Sequence, residues 1–396
     1  MIKDCGFLLI GIVGAPNKGK STIFSAMTSQ EAEIADYAFT TIKPNLGVTY
    51  ATKECAEVEL KVKCRPRNSA CAGGIRRIPA NVIDVAGLVP GAHLGKGRGN
   101  QFLNDLISAD VLIQVVDLSG KTDENGSPCS GCDPSVEVNM IREEMAEWLA
   151  EIIVRHKNTL SKRSDGEAAV VELLSGFKTS MEQVRRAADK SSIILANTNW
   201  DNSMAKKFAL ALLSENKPVV VAANKADQAG EGAIDALRKK LDGVIVIKCS
   251  AAIELALVKA AKSGIIDYSP GATNFNLLKE VSAEQKKALD YMNNYLKSNG
   301  GTGVQEVVNA AVFGVLDNIV VYPVEDETHY SDHSGNVLPD AILVKRGSTA
   351  YDLAARVHSE IAKGMKYAVD AKRKMRVQKE YELKDGDVIR IVSTAK

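Results

Sequence analysis

Gly14-Ala-Pro-Asn-Lys-Gly-Lys-Ser21 fits the spacing G-x-x-x-x-G-K-[ST]. In that pattern the backbone N–H groups of a glycine-rich turn converge on one anion. Lys20 is placed to neutralise β- and γ-phosphates, and the Ser21 hydroxyl to hold Mg²⁺. Ala15, Pro16, Asn17, Lys18 and Gly19, with Thr22 just beyond, complete the wrapping of the phosphates. Such a turn needs a strand before it and a helix after it, because the helix dipole adds to the convergent amides. Both are legible: Phe7–Val13 is an apolar run that reads as a buried strand, and Thr22–Met27 can begin a helix.

Three further groups stand downstream at the ends of apolar runs. Val82-Ile-Asp84-Val-Ala-Gly87 supplies an Asp that can take the water shell of Mg²⁺ and a Gly whose N–H can bond a γ-phosphate oxygen. Pro218-Val-Val-Val-Ala-Ala-Asn224-Lys225-Ala-Asp227 is a strand ending in N-K-x-D. The Asp227 carboxylate can accept two hydrogen bonds from guanine N1–H and its 2-amino group, a donor pair that adenine lacks; such bidentate, charge-assisted bonds are strong and selective. Val244–Ser250 is another strand, and Ser250, Ala251 and Ala252 are small enough to bring backbone N–H groups to the guanine O6. Each group alone is an ordinary strand followed by a polar turn. Their order, all at strand carboxyl ends, is the arrangement that places ligands on a doubly wound sheet.

The flanks carry a family resemblance. Tyr37-Ala-Phe-Thr-Thr-Ile-Lys-Pro-Asn-Leu-Gly47 lies where a first switch belongs, and Gly87-Leu-Val-Pro-Gly-Ala-His-Leu-Gly-Lys-Gly-Arg-Gly-Asn-Gln-Phe-Leu103 forms the tail of a second. Together with a closing TGS-like segment they resemble the Obg-related P-loop GTPases, in the archaeal YchF-like branch, over nearly the whole length. The resemblance implies that Thr41, with Thr40 the nearby alternative, senses Mg²⁺ and the γ-phosphate. It makes Lys20, Thr41, Gly87 and Asn17 the catalytic group and Ser21, Thr41 and Asp84 the Mg²⁺ site. Leu88 stands where Ras-like GTPases carry the glutamine that orients water, so water must be held by other means. Asn17 matches a K⁺-ligating asparagine of potassium-activated relatives, a cation that could stand in for an arginine finger; a turn-shaping Asn17 is the equal alternative. His93, in the glycine-rich switch, reads as a solvated loop histidine rather than a base. Some branches of the family prefer ATP, but the intact Asn224, Lys225 and Asp227 favour GTP.

The elements needed to position these groups fill the chain. Its 396 residues and 45% hydrophobic content suffice for two or three cored domains,. A net charge of +1 implies no global field towards nucleic acid or membrane. With neither a signal-like N-terminus nor an apolar run of membrane-spanning length, a cytoplasmic protein with no membrane partner is expected. The seven cysteines read as reduced thiols,. Cys129-Ser-Gly-Cys132 reads as two ordinary loop thiols ahead of a redox pair or shared metal, because Cys64 and Cys71 have the wrong spacing to complete a zinc knuckle with it.

The expected fold is α/β: a doubly wound, mostly parallel sheet with a helical, coiled-coil-like insertion and a C-terminal ubiquitin-like α+β domain of TGS type. Residues 1–128 and 190–318 form the nucleotide domain with trailing helices, 129–189 the insertion and 319–396 the TGS domain. Helical spacing marks Val136–Arg155 and Glu167–Asp189, with Trp148 as a packing residue. Ser282-Ala-Glu-Gln285 is a capping box for a helix over Ala283–Lys297, and Val304–Leu316 makes another. In the last domain Val320–Val324 and Ala341–Lys345 read as strands, Gly347–His358 as a capped helix and Leu383–Val392 as a turn and closing strand. From Ala341 onward thirteen Lys/Arg stand against seven Asp/Glu, a net of +6, much of it from Lys363, Lys366, Lys372, Arg373, Lys374 and Arg376. That patch suits phosphate backbones, and the likeness to TGS domains points to RNA or the ribosome, with the insertion as a second contact. Three functions follow: a slow GTPase switch acting with ribosomes or RNA in translation, a YchF-type ATPase with a stress or redox role, and a nucleotide-gated binding module with incidental hydrolysis.

Overall fold

The computed structural model describes residues 8–29, 45–85, 106–196 and 199–394. In chain order, β1 (Leu9–Val13), α1 (Lys20–Thr28), β2 (Leu46–Glu54), α2 (Ala56–Leu60), β3 (Ala70–Ala72), β4 (Ile75–Asp84) and β5 (Val111–Asp117) come first. They are followed by α3 (Pro134–Arg155), α4 (Lys157–Leu160), α5 (Gly166–Leu173), α6 (Met181–Ser191), α7 (Asn202–Asn216), β6 (Val219–Asn224), α8 (Ala233–Lys240), β7 (Ile245–Lys248) and α9 (Ala251–Lys262). Next come β8 (Ile266–Asp267), β9 (Asn276–Leu277), α10 (Ala283–Asn299) and α11 (Val304–Asn309). The C-terminal elements are β10 (Asn318–Val324), β11 (Ile342–Lys345), α12 (Ala350–Val357), α13 (Ser359–Lys363), β12 (Met365–Asp370), β13 (Met375–Val377) and β14 (Val388–Ser393). The chain divides into two compact units, one of Leu8–Ser29 with Val82–Val307, the other of Met1–Phe7, Gln30–Asn81 and Val308–Lys396. Among the described residues no helix is long and apolar enough to cross a membrane.

The first unit is built on the parallel row β1-β5-β6-β7, with Ile10 opposite Val111, Leu112 opposite Val219 and Val220 opposite Ile245. β5 is buried at every position, as a parallel strand covered on both faces must be, which is why it reads as a nearly continuous apolar run; the interrupting Gln114 donates to Glu137 O at 3.1 Å. On one face Val116, Val221, Ala223 and Val246 meet Val138 of α3 and Leu237 and Leu241 of α8. Val115, Val220 and Ala222 alternate with them and are buried too, so by the two-residue period they face the other way. The row ends at Gly14, Asp117, Asn224 and Cys249, so all the parallel carboxyl ends open on one edge.

α3 starts at Asp133, whose side chain accepts the Ser135 N–H, with Pro134 in the first turn, where a missing N–H costs nothing. The helix expected over Glu167–Asp189 is instead interrupted. α5 stops at Leu173, a 3₁₀ turn spans Ser175–Phe177, Lys178 takes φ +53°, and a capping box of Ser180 and Gln183 starts α6 afresh. Periodicity carries through such a break, whereas the local hydrogen bonding of Ser180 does not. α3 and α6 both pack on α7, and Trp148 lies 5.4 Å from the Phe177 ring, a packing role. The expected capping box forms at Ser282, and Gly300 ends α10 at φ +72°.

In the second unit the C-terminal domain is a five-stranded sheet ordered β11-β10-β14-β12-β13. β10 runs antiparallel to β11 and parallel to β14. α12, capped by Thr349 and Asp352, buries Leu353 and Ala354 against Ile319, Val321, Val344 and Ile389. β12 and β13 were not expected. They form a hairpin that carries most of the basic cluster, with Asp370 opposite Met375 and Lys374 at φ +53° in the turn. The segment 45–81 belongs to this unit and is laced to the domain. The Arg65 and Arg67 N–H groups donate to Val337 O at 2.8 Å and Pro339 O at 2.7 Å, and Asn68 exchanges two bonds with Ala341.

Candidate nucleotide site

The loop between β1 and α1 is held by conformations its sequence was selected to allow. Gly14 sits at φ +148°, where a Cβ would come 2.5 Å from Val115 O, and Gly19 at φ +90°, where it would meet Asn224 Nδ2 at 2.4 Å. Both positions exclude any side chain. Asn17 takes φ +62°, a left-handed conformation that asparagine tolerates, and its Nδ2 donates to Gly126 O at 2.9 Å. Gly126 lies in a small turn under Pro16, where a Cβ would come 2.6 Å from Pro16 O.

The two loop lysines differ. Lys18 is buried at 1% exposure and pairs with the equally buried Glu137 of α3 at 3.0 Å, while donating to Thr122 O. Glu137 also accepts the Ala15 N–H at 2.8 Å. Burial pushes the Glu137 carboxyl up, against the pull of the Ala15 N–H and Lys18. Lys20 bends back to donate to Ala15 O at 2.7 Å. Burial draws its ammonium below the ordinary lysine value, against the charges of Asp84 and Glu137. Ser21 Oγ donates to Asp84 Oδ2 at 3.3 Å, and Val85 N–H donates to Ile12 O at 3.1 Å, which seats the end of β4 beside β1. Burial also raises the Asp84 carboxyl, opposed by Lys20 and Ser21. A hydroxyl and a carboxylate, both hard oxygen donors beside the phosphate loop, fit Mg²⁺.

The N-K-x-D loop is fastened to the same turn. Asn224, 2% exposed, donates to Lys18 O at 2.9 Å and accepts the Ala251 N–H at 3.0 Å. Lys225, at φ +59°, donates to Asn17 O and to Asp117 Oδ2, both at 2.8 Å. Burial opposes ionisation of Asp117, but bonds from Lys225, Ser119 and Thr122 together hold its carboxyl below the usual range. Asp227, half-exposed, accepts the Ser250 hydroxyl at 2.6 Å, and Ser250 in turn caps α9 through the Ile253 N–H. The Ser250 N–H donates to Thr302 O at 2.9 Å. Next to it, Gly303 is required, since a Cβ there would meet Lys248 O at 1.9 Å. Ala252 is exposed on the first turn of α9.

The structure therefore gathers Gly14–Thr22, Asp84, Asn224, Lys225, Asp227 and Ser250–Ala252 around the carboxyl ends of the parallel strands. Thr40, Thr41, Gly87, Leu88 and His93 lie outside the described residues. Sequence reading missed Glu137 and Asp117. Asp117 ends an apolar strand just as Asp84 and Asn224 do, a signal that was present; Glu137 stands in the first turn of α3, where an acidic residue is ordinary, and gave none. Reading Cys129 and Cys132 as free thiols is corrected: they are joined in a disulfide. Two intervening residues bring their Cα atoms to 6.2 Å, within bridging reach,.

A parallel α/β sheet, a glycine-shaped phosphate loop and an N-K-x-D loop bonded to it define a P-loop nucleotide-binding protein. Comparison with known proteins narrows this. The 50S ribosome-binding GTPase family matches residues 9–160, the Obg-like GTPase YGR210-like, G4 motif-containing domain matches 222–326, and the TGS domain matches 334–393. An uncharacterized GTP-binding protein of Methanocaldococcus jannaschii is 48% identical, covering 98% of this chain and 100% of its own. The Obg-like ATPase 1 of Rattus norvegicus is 27% identical over 96% and 91%. The crystal structure of a GTP binding protein from Pyrococcus horikoshii superposes with a TM-score of 0.80 at 37% identity, covering 98% and 100%. The chain belongs to the Obg-like, YchF-type family of P-loop GTPases, with a C-terminal TGS domain.

Proposed function

We propose that the chain is a GTP-selective switch that hydrolyses GTP slowly and acts with ribosomes or RNA in translation. The observation that carries this reading is the pair Asn224 and Lys225, bonded to the carbonyls of Lys18 and Asn17. Their bonds set the base-reading carboxylate of Asp227 at a fixed register from the phosphate loop. Asp227 accepts N1–H and the 2-amino group of guanine, while the N–H groups after Ser250 approach O6. Lys20 leaves the Ala15 carbonyl for the β- and γ-phosphates when nucleotide enters. Ser21, and Asp84 through water, would hold Mg²⁺, which would supply neutralisation of the charge that develops in phosphoryl transfer. Thr41 and Gly87 are assigned the γ-phosphate, and Leu88 leaves water without a side-chain acceptor, which makes hydrolysis slow.

Asn17 already shapes the turn through Gly126; the amide oxygen is the atom a K⁺ would use. Turnover in KCl against NaCl tests that use, and equal rates dismiss it. ATP is the competing nucleotide, favoured by the name of the 27%-identical relative. Parallel titrations of GTP and ATP against wild type and Asp227→Ala decide between them. Tighter ATP binding, insensitive to the substitution, overturns the assignment. The ribosome reading draws on the TGS domain and its basic residues, and co-sedimentation with ribosomes in the presence and absence of a nonhydrolysable GTP analogue tests it.

A further inference from the structure

Outside the nucleotide site, Cys55, Glu57, Cys64 and Cys71 bring three sulfurs and a carboxylate oxygen within 4.8 Å of one another. They come from four different places: the end of β2, the first turn of α2, the loop after it, and β3. All lie in one compact unit. Cys55 is 2% exposed, Cys64 7% and Glu57 6%; Cys71 is half-buried. Glu57 Oε2 accepts the Cys64 N–H at 2.8 Å, which orients the carboxylate, and Oε1 accepts the Cys71 thiol at 3.2 Å. Deprotonating that thiol frees Oε1 for a cation.

Beside them lies Arg76, fully buried, with Nη1 4.0 Å from Cys64 Sγ and Nη2 bonded to Leu338 O. Its Nε has no hydrogen-bond partner. A buried guanidinium against neutral thiols is expensive, and against an anionic cluster it is compensated. We propose that these four residues form a structural zinc site, with Arg76 as the buried countercharge.

Three thiolates and a carboxylate are the ligand chemistry of Zn²⁺, and four protein ligands leave no open position for catalysis. Zn–S bonds of about 2.3 Å place tetrahedral sulfurs about 3.8 Å apart, so closure from the present spacing takes roughly 1 Å of side-chain movement. Binding forms three Zn–S bonds and one Zn–O bond and releases three thiol protons to solvent. The ion cross-links β2, the loop after α2 and β3. This is the segment whose Arg65 and Arg67 backbones pair with Val337 and Pro339, so zinc would brace the seat of the C-terminal domain. The sequence hides the site, because spacings of eight and six residues between cysteines match no knuckle,.

The test uses the full-length chain purified with added zinc and dialysed into metal-free buffer. Elemental analysis should find about one zinc per chain, lost in Cys64→Ser and Cys71→Ser and kept in Cys129→Ser/Cys132→Ser. Cobalt substituted for zinc should give sulfur-to-metal charge-transfer bands and the intense d–d bands of tetrahedral coordination, with Glu57→Gln shifting the latter. Should the serine variants fail to fold, maleimide labelling mapped by peptide mass spectrometry replaces them: Cys55, Cys64 and Cys71 of the wild type should be protected with zinc and labelled after chelation. Zinc absent from the wild type, zinc kept by Cys64→Ser, labelling indifferent to zinc, or a disulfide between two of these three cysteines would each overturn the site.

Discussion

In the nucleotide unit, Lys18 and Lys225 reach carboxylates more than a hundred residues away in sequence, and those carboxylates are buried. In the C-terminal domain the cations themselves are exposed and their partners lie close by in sequence: Lys363 with the exposed Glu360, Arg373 with Asp370, whose carboxylate is buried, and Arg376 over the Tyr367 ring at 3.9 Å. Lys372 reaches further, to Glu59 at 2.5 Å, and that carboxylate is exposed. Buried, distant partners fix geometry before a ligand arrives and resist salt. Exposed local pairs contribute little to stability, are screened, and can be exchanged for phosphates at small cost. One set of charges shapes a site; the other coats a surface.

The largest expected break is Glu137→Ala. It strands the Lys18 ammonium in the interior and should cost about 3–5 kcal/mol of stability in denaturant unfolding. Lys18→Met/Glu137→Leu should recover most of that loss yet still weaken nucleotide binding, because the Ala15 N–H loses its acceptor. A single substitution no worse than the double would mean that the pair is not a buried unit. Next comes Asp227→Ala, which would remove the two charge-assisted bonds proposed to guanine, of about 1.5–3 kcal/mol each. GTP affinity should fall on the order of 100-fold or more, and the preference over ATP should vanish.

Asp117 gives a smaller, pH-dependent effect. Its folded pKa lies below that of an unfolded aspartate, about 3.9. The stability it contributes is complete above that value and is lost as pH falls through the lowered one. Asp117→Asn should flatten the acid limb of the stability curve, and an unchanged limb would remove Asp117 from the network. The mildest test lies on the hairpin. Neutralising Lys366 and Lys374 should lower the salt slope of RNA binding by about 0.7 each for single strands. Neutralising Arg373 and Arg376, already engaged with Asp370 and Tyr367, should change it less. Equal changes would erase the contrast.

What is legible in the sequence is local, though not everything local is legible: the Ser180–Gln183 capping box that restarts α6 is masked by periodicity running through it. The phosphate loop, the N-K-x-D turn, the capping box at Ser282 and the Ser/Thr cap that opens the Gly347–His358 helix are contiguous residues whose chemistry acts within a few positions. Glu137 and Asp117 act across more than a hundred residues, and the Cys129–Cys132 bridge depends on how a loop folds back. The β12–β13 hairpin escaped notice because Lys372-Arg-Lys-Met-Arg376 shows charge rather than apolar alternation. β13 is the sheet edge, where lysine and arginine also discourage pairing with a second chain. The basic cluster therefore has a structural reason to exist besides any polyanion.

The side-chain amide of Asn224 holds Lys18 O with one end and the Ala251 N–H with the other. On the proposed assignment, discrimination between bases and grip on the triphosphate share a single hinge pin. Anyone redesigning this pocket for another purine by changing Asn224 would loosen both ends together, and an apparent loss of selectivity would be inseparable from a loss of affinity. Re-engineering should start from Asp227 and leave the pin in place.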